Sequence, residues 1–516
     1  MYSYVFSGAV DGLRSFIVKV EVDAGTGLPC FQMVGLLSSE VRESSDRVRV
    51  AIRNAGFHMP PSSININLSP ADVKKTGTLF DLPIAIGVIS ALGHIPQEKL
   101  EGMLILGELG LDGSVKPIRG AMPIVRCARE NGFRKCIVPA ENAGEGAVTG
   151  EIDVIGVRTL TEVCDYLTLS GEDPQYLIPP CRVDAEEIFR SASEKGTEDF
   201  RDINGQEAVK RAAEVAASGF HNLLFIGPPG SGKTMAAKRI PSILPPLSME
   251  ESLEVTEIYS VAGLLPKGIP LITKRPFLSP HHTISEQALA GGGSIPHPGV
   301  VSLAHRGVLF LDELPEFNRS TLDILRQPIE DREVHISRSA GNYTYPSDFM
   351  LVCAMNPCKC GYYPDRSRCR CTENDVRRYL SKVSGPLLDR IDIYAEAPRV
   401  DIADLNNDDK GESSSSIRER VLSSRERQEY RFRGTGLRFN SDMKPSDVRK
   451  YCRLGHREDA FMQDVFSGMD LSARAYHRIL KVARTIADLD ASEEVKEEHL
   501  AEAVCYRMND LRYRTM

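Results

Sequence analysis

Eight residues, Gly227-Pro228-Pro229-Gly230-Ser231-Gly232-Lys233-Thr234, have the types and spacing of a loop that cradles phosphates. In the pattern G-x-x-x-x-G-K-[ST], glycines let backbone N–H groups close around an anion, the lysine reaches the terminal phosphates and the hydroxyl ligates Mg²⁺. Lys233 and Thr234 stand in those two places, so the loop predicts binding of ATP or GTP together with Mg²⁺. Further along, the apolar run Val308-Leu309-Phe310-Leu311 ends in two carboxylates, Asp312 and Glu313. Asp312 can hold Mg²⁺ through water while Glu313 polarises an attacking water, which is the chemistry of nucleotide hydrolysis. A second apolar run, Phe349 to Met355, ends in Asn356, whose amide can orient that water.

These groups need particular elements to hold them. A phosphate loop requires a buried strand before it, here Leu223 to Ile226, and a helix after it, here begun by Met235-Ala236-Ala237-Lys238-Arg239. The 516 residues are enough for two to four domains, and 42% hydrophobic content fills proper cores. Residues 1–170 alternate β-branched runs, such as Ser15 to Val22 and Ser63 to Leu68, with helical stretches such as Leu82 to Leu92, and predict an α/β domain. A polar connector over 171–198 follows, then the phosphate-loop unit over 199–398. Residues 399–516 open on the polar run Asn406 to Ser416 and continue with helical patterns at Ala473 to Leu489 and Glu493 to Leu511, which read as a helical lid.

A net charge of -8 gives no global signature of a nucleic-acid binder, so any such contact must come from local patches. The chain has no apolar run long enough for a membrane span and no signal-peptide pattern at its start, which predicts a cytoplasmic protein without a membrane partner. Five of the twelve cysteines fall between Cys353 and Cys371. Among them Cys358, Cys360, Cys369 and Cys371 form a C-x-C…C-x-C arrangement. Four thiolates at close range make a tetrahedral Zn²⁺ site, but Lys359, Arg368 and Arg370 can equally stabilise free thiolates without metal, and the pattern leaves both readings open. Residues 358–382 hold seven basic and three acidic side chains, either a local nucleic-acid surface or a solvated loop. The arginines of Ile417 to Gly434 read as the solvated face of a mixed-charge helix.

The ordered motifs resemble a family. The phosphate loop (Walker A), the Asp312-Glu313 strand (Walker B), Asn356 (sensor 1), Gly385-Pro386-Leu387-Leu388-Asp389-Arg390-Ile391-Asp392 and Leu471-Ser472-Ala473-Arg474 together resemble the AAA+ ATPases of the magnesium-chelatase and MCM group. Arg275-Pro276-Phe277, Pro280-His281-His282-Thr283, Gly291-Gly292-Gly293, Ser302 to Gly307 and Asp312 to Phe317 are similar to the bacterial ComM (YifB) family in particular.

The resemblance implies a P-loop AAA+ core that uses ATP rather than GTP, an assembly of identical subunits as a hexamer, and sites shared between neighbours. Arg390 would be the finger acting in trans, with a helix-end salt bridge to Asp389 or Asp392 as the plain alternative. Arg474 would be sensor 2, with Ser472 capping its helix, and Gly205 and Gln206 would line the nucleotide base. The long spacing from Thr234 to Asp312 would carry the helix-2 insert of that group. Strands Glu333 to Arg338 and Asn342 to Tyr345 around Ser339-Ala340-Gly341 read as a hairpin, and the resemblance makes it the pre-sensor-1 hairpin. Arg338 near its tip could then track a DNA backbone, or the element is an ordinary surface hairpin.

The first domain resembles the ribosomal-S5-like domain of Lon proteases through Lys75 to Leu82, Gly107 to Gly113 and Val115 to Gly120. Lon-type proteolysis needs a serine nucleophile beside a lysine base, yet Phe80 and Met122 fall near those two positions, so no protease activity is expected. By resemblance the chain is expected to be an ATP-driven hexameric motor, a helicase or translocase on single-stranded or branched DNA that promotes branch migration in recombination or natural transformation. The alternatives are a protein-remodelling or protease-associated ATPase and the motor subunit of a metal chelatase.

Overall fold

The computed structural model describes residues 1–169, 177–191, 198–293, 296–338, 341–399, 411–469 and 471–514. Residue 170, parts of the connector (171–176 and 192–197), Ser339, Ala340 and the part of the polar run from 406 to 410 lie outside those residues.

Period-two burial organises the first domain. Val18, Val20 and Val22 of strand Arg14–Gly25 are all fully buried on one face of a sheet. That sheet has seven strands, in the order Cys30–Val34, Ser63–Ser69, Arg14–Gly25, Tyr2–Asp11, Met103–Ile105, Lys135–Pro139 and Asp153–Val157. Its first three pairings include antiparallel ladders, whereas from Tyr2–Asp11 onward the neighbours run parallel. Helix Asp81–Ala91, buried at every residue, covers the sheet beside helix Ser39–Asn54.

The second sheet is wholly parallel, in the order Phe277–Leu278, Val308–Leu311, Met350–Met355, Leu223–Ile226 and Ile393–Glu396. Every residue of Leu223–Ile226, Val308–Leu311 and Met350–Met355 is buried, as a sheet covered on both faces demands. Helices Glu207–Gly219 and Lys233–Ile243 cover one face. The expected insertion between Thr234 and Asp312 has two parts. Helix Met249–Ala262 comes first, and the short helices Glu286–Ala290 and Val300–Leu303 then flank an antiparallel ribbon, Gly291–Gly292 with His297–Pro298.

Helix Met249–Ala262 is where the two α/β units meet. Arg126 of helix Ala121–Glu130 makes a two-pronged bond to Glu257 at 2.6 and 2.7 Å, and the Gly120 N–H donates to the Ser260 carbonyl at 3.0 Å. Burial pushes the Glu257 carboxyl up, and the Arg126 guanidinium opposes that rise. The same helix clamps the start of the Asp312 strand, because Glu254 accepts from His305 at 3.2 Å and Arg306 at 2.9 Å.

The C-terminal helices Ser414–Arg431, Ala473–Leu489 and Glu497–Arg514 share one continuous apolar core with Glu207–Gly219, including Ile417, Val421, Ile479 and Val482. The solvated-face reading of the arginines in Ser414–Arg431 holds for the exposed Arg420 and Arg427 and is corrected for Arg425 and Arg431. Arg431 pairs with the fully buried Asp488, Arg420 with Glu214 and Glu412, and Arg425 with Glu429 at 3.1 Å while packing over the Phe439 ring. Mixed charge here ties the helix to its neighbours. No helix among the described residues is long and apolar enough to cross a membrane.

Two outcomes follow from the contacts of helix Met249–Ala262. Arg126→Ala strands a buried carboxylate and should cost roughly 2 kcal/mol. Hydrogen exchange should accelerate in Ala121–Glu130 and Met249–Ala262 but not in Leu223–Ile226, and unchanged exchange would contradict this docking. Burial alone would raise Glu254, yet the bonds from His305 and Arg306 overcome it and hold the carboxyl at about 2, below its ordinary 4.5. Its stabilisation is complete above pH 4.5 and is lost as pH falls towards 2, so a Glu254→Gln variant should show a shallower acid-unfolding profile across that window.

Candidate nucleotide-binding site

The register of the parallel sheet delivers the site. Ile226 pairs with Met355, and Leu311 pairs with Cys353, so the phosphate loop, Asp312 and Asn356 emerge together from the carboxyl ends of three adjacent strands. That edge is where open α/β sheets bind ligands. Gly227 has no freedom to be anything larger, since a Cβ there would lie 2.2 Å from the Ala397 carbonyl oxygen. Gly230 and Gly232 take φ values of 76° and 84°, turning Pro228 to Ser231 back over the start of helix Lys233–Ile243.

The Lys233 ammonium folds onto its own loop. It donates to the carbonyls of Gly227 and Pro228, both at 2.8 Å, and reaches Asn356 Oδ1 at 3.3 Å. Burial pulls its pKa down while Asp312 opposes that fall. Thr234 Oγ1 donates to Asp312 Oδ2 at 2.7 Å, which brings together the hydroxyl and carboxylate that can hold Mg²⁺ directly and through water. Lys233, Thr234, Asp312 and Asn356 are thus one connected cluster.

Glu313 stands at its rim. Its φ of 52° lies in the left-handed region, a strained conformation for a residue with a Cβ, and its side chain is 62% exposed. His282 Nδ1 lies 3.9 Å from Glu313 Oε2, and the His282 ring is itself set between His281 and Phe317. The sequence marked His281 and His282 as part of a motif but gave them no role, because the contact depends on the turn at Glu313. Gln206, also left-handed at φ 59°, donates its amide to the Pro398 carbonyl, leaving its Oε1 buried with no partner among the described residues. Its neighbour Gly205 has φ 66°.

The two arginines stand apart from this cluster. Arg390 is largely buried and bonds to Glu330 at 2.6 Å and to the Pro386 carbonyl at 2.6 Å. Neither helix-end partner anticipated from sequence holds it. Asp392 instead accepts from the Asn222 N–H at 3.0 Å and from Arg478 at 3.1 Å, and Asp389 lies 3.8 Å from Arg507. Arg474 is exposed in the first turn of helix Ala473–Leu489, where Ser472 caps the helix by accepting from the Ala475 N–H at 3.2 Å.

The hairpin Glu333–Arg338 with Gly341–Pro346 forms as expected, and Arg338 is exposed. Its returning strand does not stand free: Tyr343 packs against Gly12 of the first domain, and burial together with the Asp11 carboxylate pushes its hydroxyl pKa up. All seven basic residues between 358 and 382 are exposed. The sulfurs of Cys358, Cys360, Cys369 and Cys371 lie within 4.8 Å of one another, close enough to share a metal ion. In the first domain Phe80 and Met122 are buried apolar side chains.

Comparison with known proteins accounts for this arrangement. The magnesium chelatase subunit ChlI family matches residues 199–405, a second ChlI model matches 20–142, and the ChlI C-terminal model matches 411–507. The protein YifB of Salmonella typhimurium is 42% identical, covering 98% of this chain and 97% of its own. The competence protein ComM of Haemophilus influenzae is 40% identical over the same shares of the two chains. Lon protease 2 of Bacillus subtilis is 31% identical over 29% of this chain and 28% of its own, in keeping with a Lon-like N-terminal unit. That family uses ATP and Mg²⁺, in agreement with the cluster around Lys233. The chain belongs to the ComM/YifB family of magnesium-chelatase-like AAA+ proteins.

Proposed function

We propose that this protein is an ATP-hydrolysing ring motor, a homohexamer that moves single-stranded or branched DNA and promotes branch migration during recombination. The observation that carries the reading is a phosphate-loop cluster from which Arg390, the arginine that would meet transition-state charge, stands apart. Lys233, Thr234, Asp312, Glu313 and Asn356 converge at one sheet edge, while Arg390 makes its polar contacts with Glu330 and Pro386. A second subunit supplies what is missing, with Arg390 released from Glu330 to reach the neighbour's γ-phosphate and Arg474 assisting from the lid. The orphan Oε1 of Gln206 accepts from the exocyclic amine of adenine, which favours ATP over GTP.

DNA as the client is supported by the competence protein among the relatives and by the exposed basic residues of 358–382, with Arg338 on the adjoining hairpin as a further contact. The Lon-like similarity would favour a protein client instead. Against it, Phe80 and Met122 offer neither nucleophile nor base where that chemistry needs them.

ATP turnover measured alone and with single strands, duplexes, forks and an unfolded protein tests motor and client together. Branched or single-stranded DNA should raise turnover severalfold, and no response to any DNA form would overturn the reading. Glu313→Gln should bind ATP yet lose about 10²-fold or more in turnover; unchanged turnover would remove Glu313 from the chemistry. Mixing that variant with Arg390→Ala tests the shared site. Each should be inactive alone, and mixed rings should regain activity wherever an intact Glu313 faces an intact Arg390. Absence of recovery in verified mixed rings would contradict action in trans.

A further inference from the structure

Two residues beyond Asn356 the chain enters a small sulfur-lined knuckle. The Cys358 Sγ lies 3.3 Å from Cys360 Sγ and 3.8 Å from Cys369 Sγ, and Cys360 Sγ lies 3.5 Å from Cys369 Sγ. Zn–S bonds of about 2.3 Å arranged tetrahedrally place sulfurs about 3.8 Å apart, so the gathered thiols are spaced as metal ligands would be. All four are free rather than bridged to one another.

The surroundings fit a tetrathiolate. The doubly negative charge of Zn²⁺ with four thiolates is met by exposed Lys359, Arg366, Arg368 and Arg370. The knuckle also has little else to hold it. Its buried apolar cluster consists of Cys358, Cys369 and Val376, with Cys360, Tyr363, Cys371 and Leu380 packed against it. Loops with so small a core are stapled by a metal or a disulfide.

Its position gives the staple a purpose. A Cβ on Gly361 would lie 2.4 Å from Pro229 Cδ, so the knuckle backbone presses directly on the phosphate loop. From its other end the chain leads straight back to Asn356, which contacts Lys233. We infer that Cys358, Cys360, Cys369 and Cys371 bind one structural Zn²⁺, and that the zinc knuckle buttresses the phosphate loop and Asn356 in the geometry that receives nucleotide. Binding releases to solvent the protons of those thiols that carried them. The metal itself rests on nothing assumed about nucleotide, whereas the buttress rests on the nucleotide site proposed above.

The full-length protein, purified without added metal, is measured by elemental analysis and X-ray absorption, and its affinity for a fluorescent ADP is titrated before and after zinc is withdrawn by a chelator. About one zinc per chain with four sulfur ligands near 2.3 Å is expected. Withdrawal should weaken ADP binding about tenfold or more, with recovery on adding zinc back. Gly361→Ala, strained by its φ of 85° as well as by Pro229, should bind ADP more weakly, and an unchanged zinc content and melting temperature of the same sample separate the buttress from metal loss or misfolding. A chain that neither carries zinc nor takes it up on dialysis overturns the site. Unchanged ADP affinity in both zinc-free protein and Gly361→Ala overturns the buttress. If zinc-loaded protein bound no nucleotide at all, the nucleotide reading would fail and the buttress with it, while zinc occupancy would still decide the metal site.

Discussion

The hydrogen-bonded ladder that places Met350–Met355 between Leu223–Ile226 and Val308–Leu311 is the constraint on which the site depends. A parallel ladder fixes both the order and the direction of its strands, so all three carboxyl ends point the same way. Asn356 is thereby held between the phosphate loop on one side and Asp312 on the other. Lys233 touching Asn356 and Thr234 touching Asp312 are consequences of that ladder rather than independent contacts. Displacing the middle strand by a single residue would turn its side chains to the opposite face and dismantle the cluster.

Around this fixed centre, Lys233, Glu313 and Arg390, to which the proposed function assigns nucleotide contacts, are held by polar contacts of other kinds. Lys233 is occupied by carbonyls that an anion would displace, and Glu313 sits on a strained turn beside His282. Arg390 is held by one carboxylate, Glu330, in the helix leading into the hairpin Glu333–Arg338. Under the proposed function, that ion pair would link nucleotide state to the hairpin. The first domain adjoins the hairpin where Tyr343 packs against Gly12, and it docks on helix Met249–Ala262 through Arg126 and Glu257.

What the sequence disclosed and what it withheld follow from how far apart the partners lie. The phosphate loop was legible because its chemistry is contained in eight consecutive residues, and the four cysteines because both pairs sit on one short loop. The α/β character of the first domain followed from alternation such as Val18, Val20 and Val22. Contacts spanning long stretches were not legible. Glu330 replaced the nearby Asp389 and Asp392 as the partner of Arg390, and Asp488 took Arg431 out of a helix face that local pattern assigned to solvent. Strand order was hidden too, because adjacent parallel strands are separated by whole helices and insertions in sequence. His282 was visible as part of a motif, but its contact with Glu313 appears only where Glu313 turns into the left-handed region.

In the proposed ring, each nucleotide site is completed by a neighbouring copy of the chain. A cryo-electron-microscopy structure of the protein with Mg²⁺ and a non-hydrolysable ATP analogue would show this. The expected result is a closed ring in which the phosphates contact Lys233 and Thr234 of one subunit and Arg390 of the next, with the Arg390 to Glu330 ion pair broken. A nucleotide enclosed by a single chain, or one with Arg390 still bound to Glu330, would contradict it.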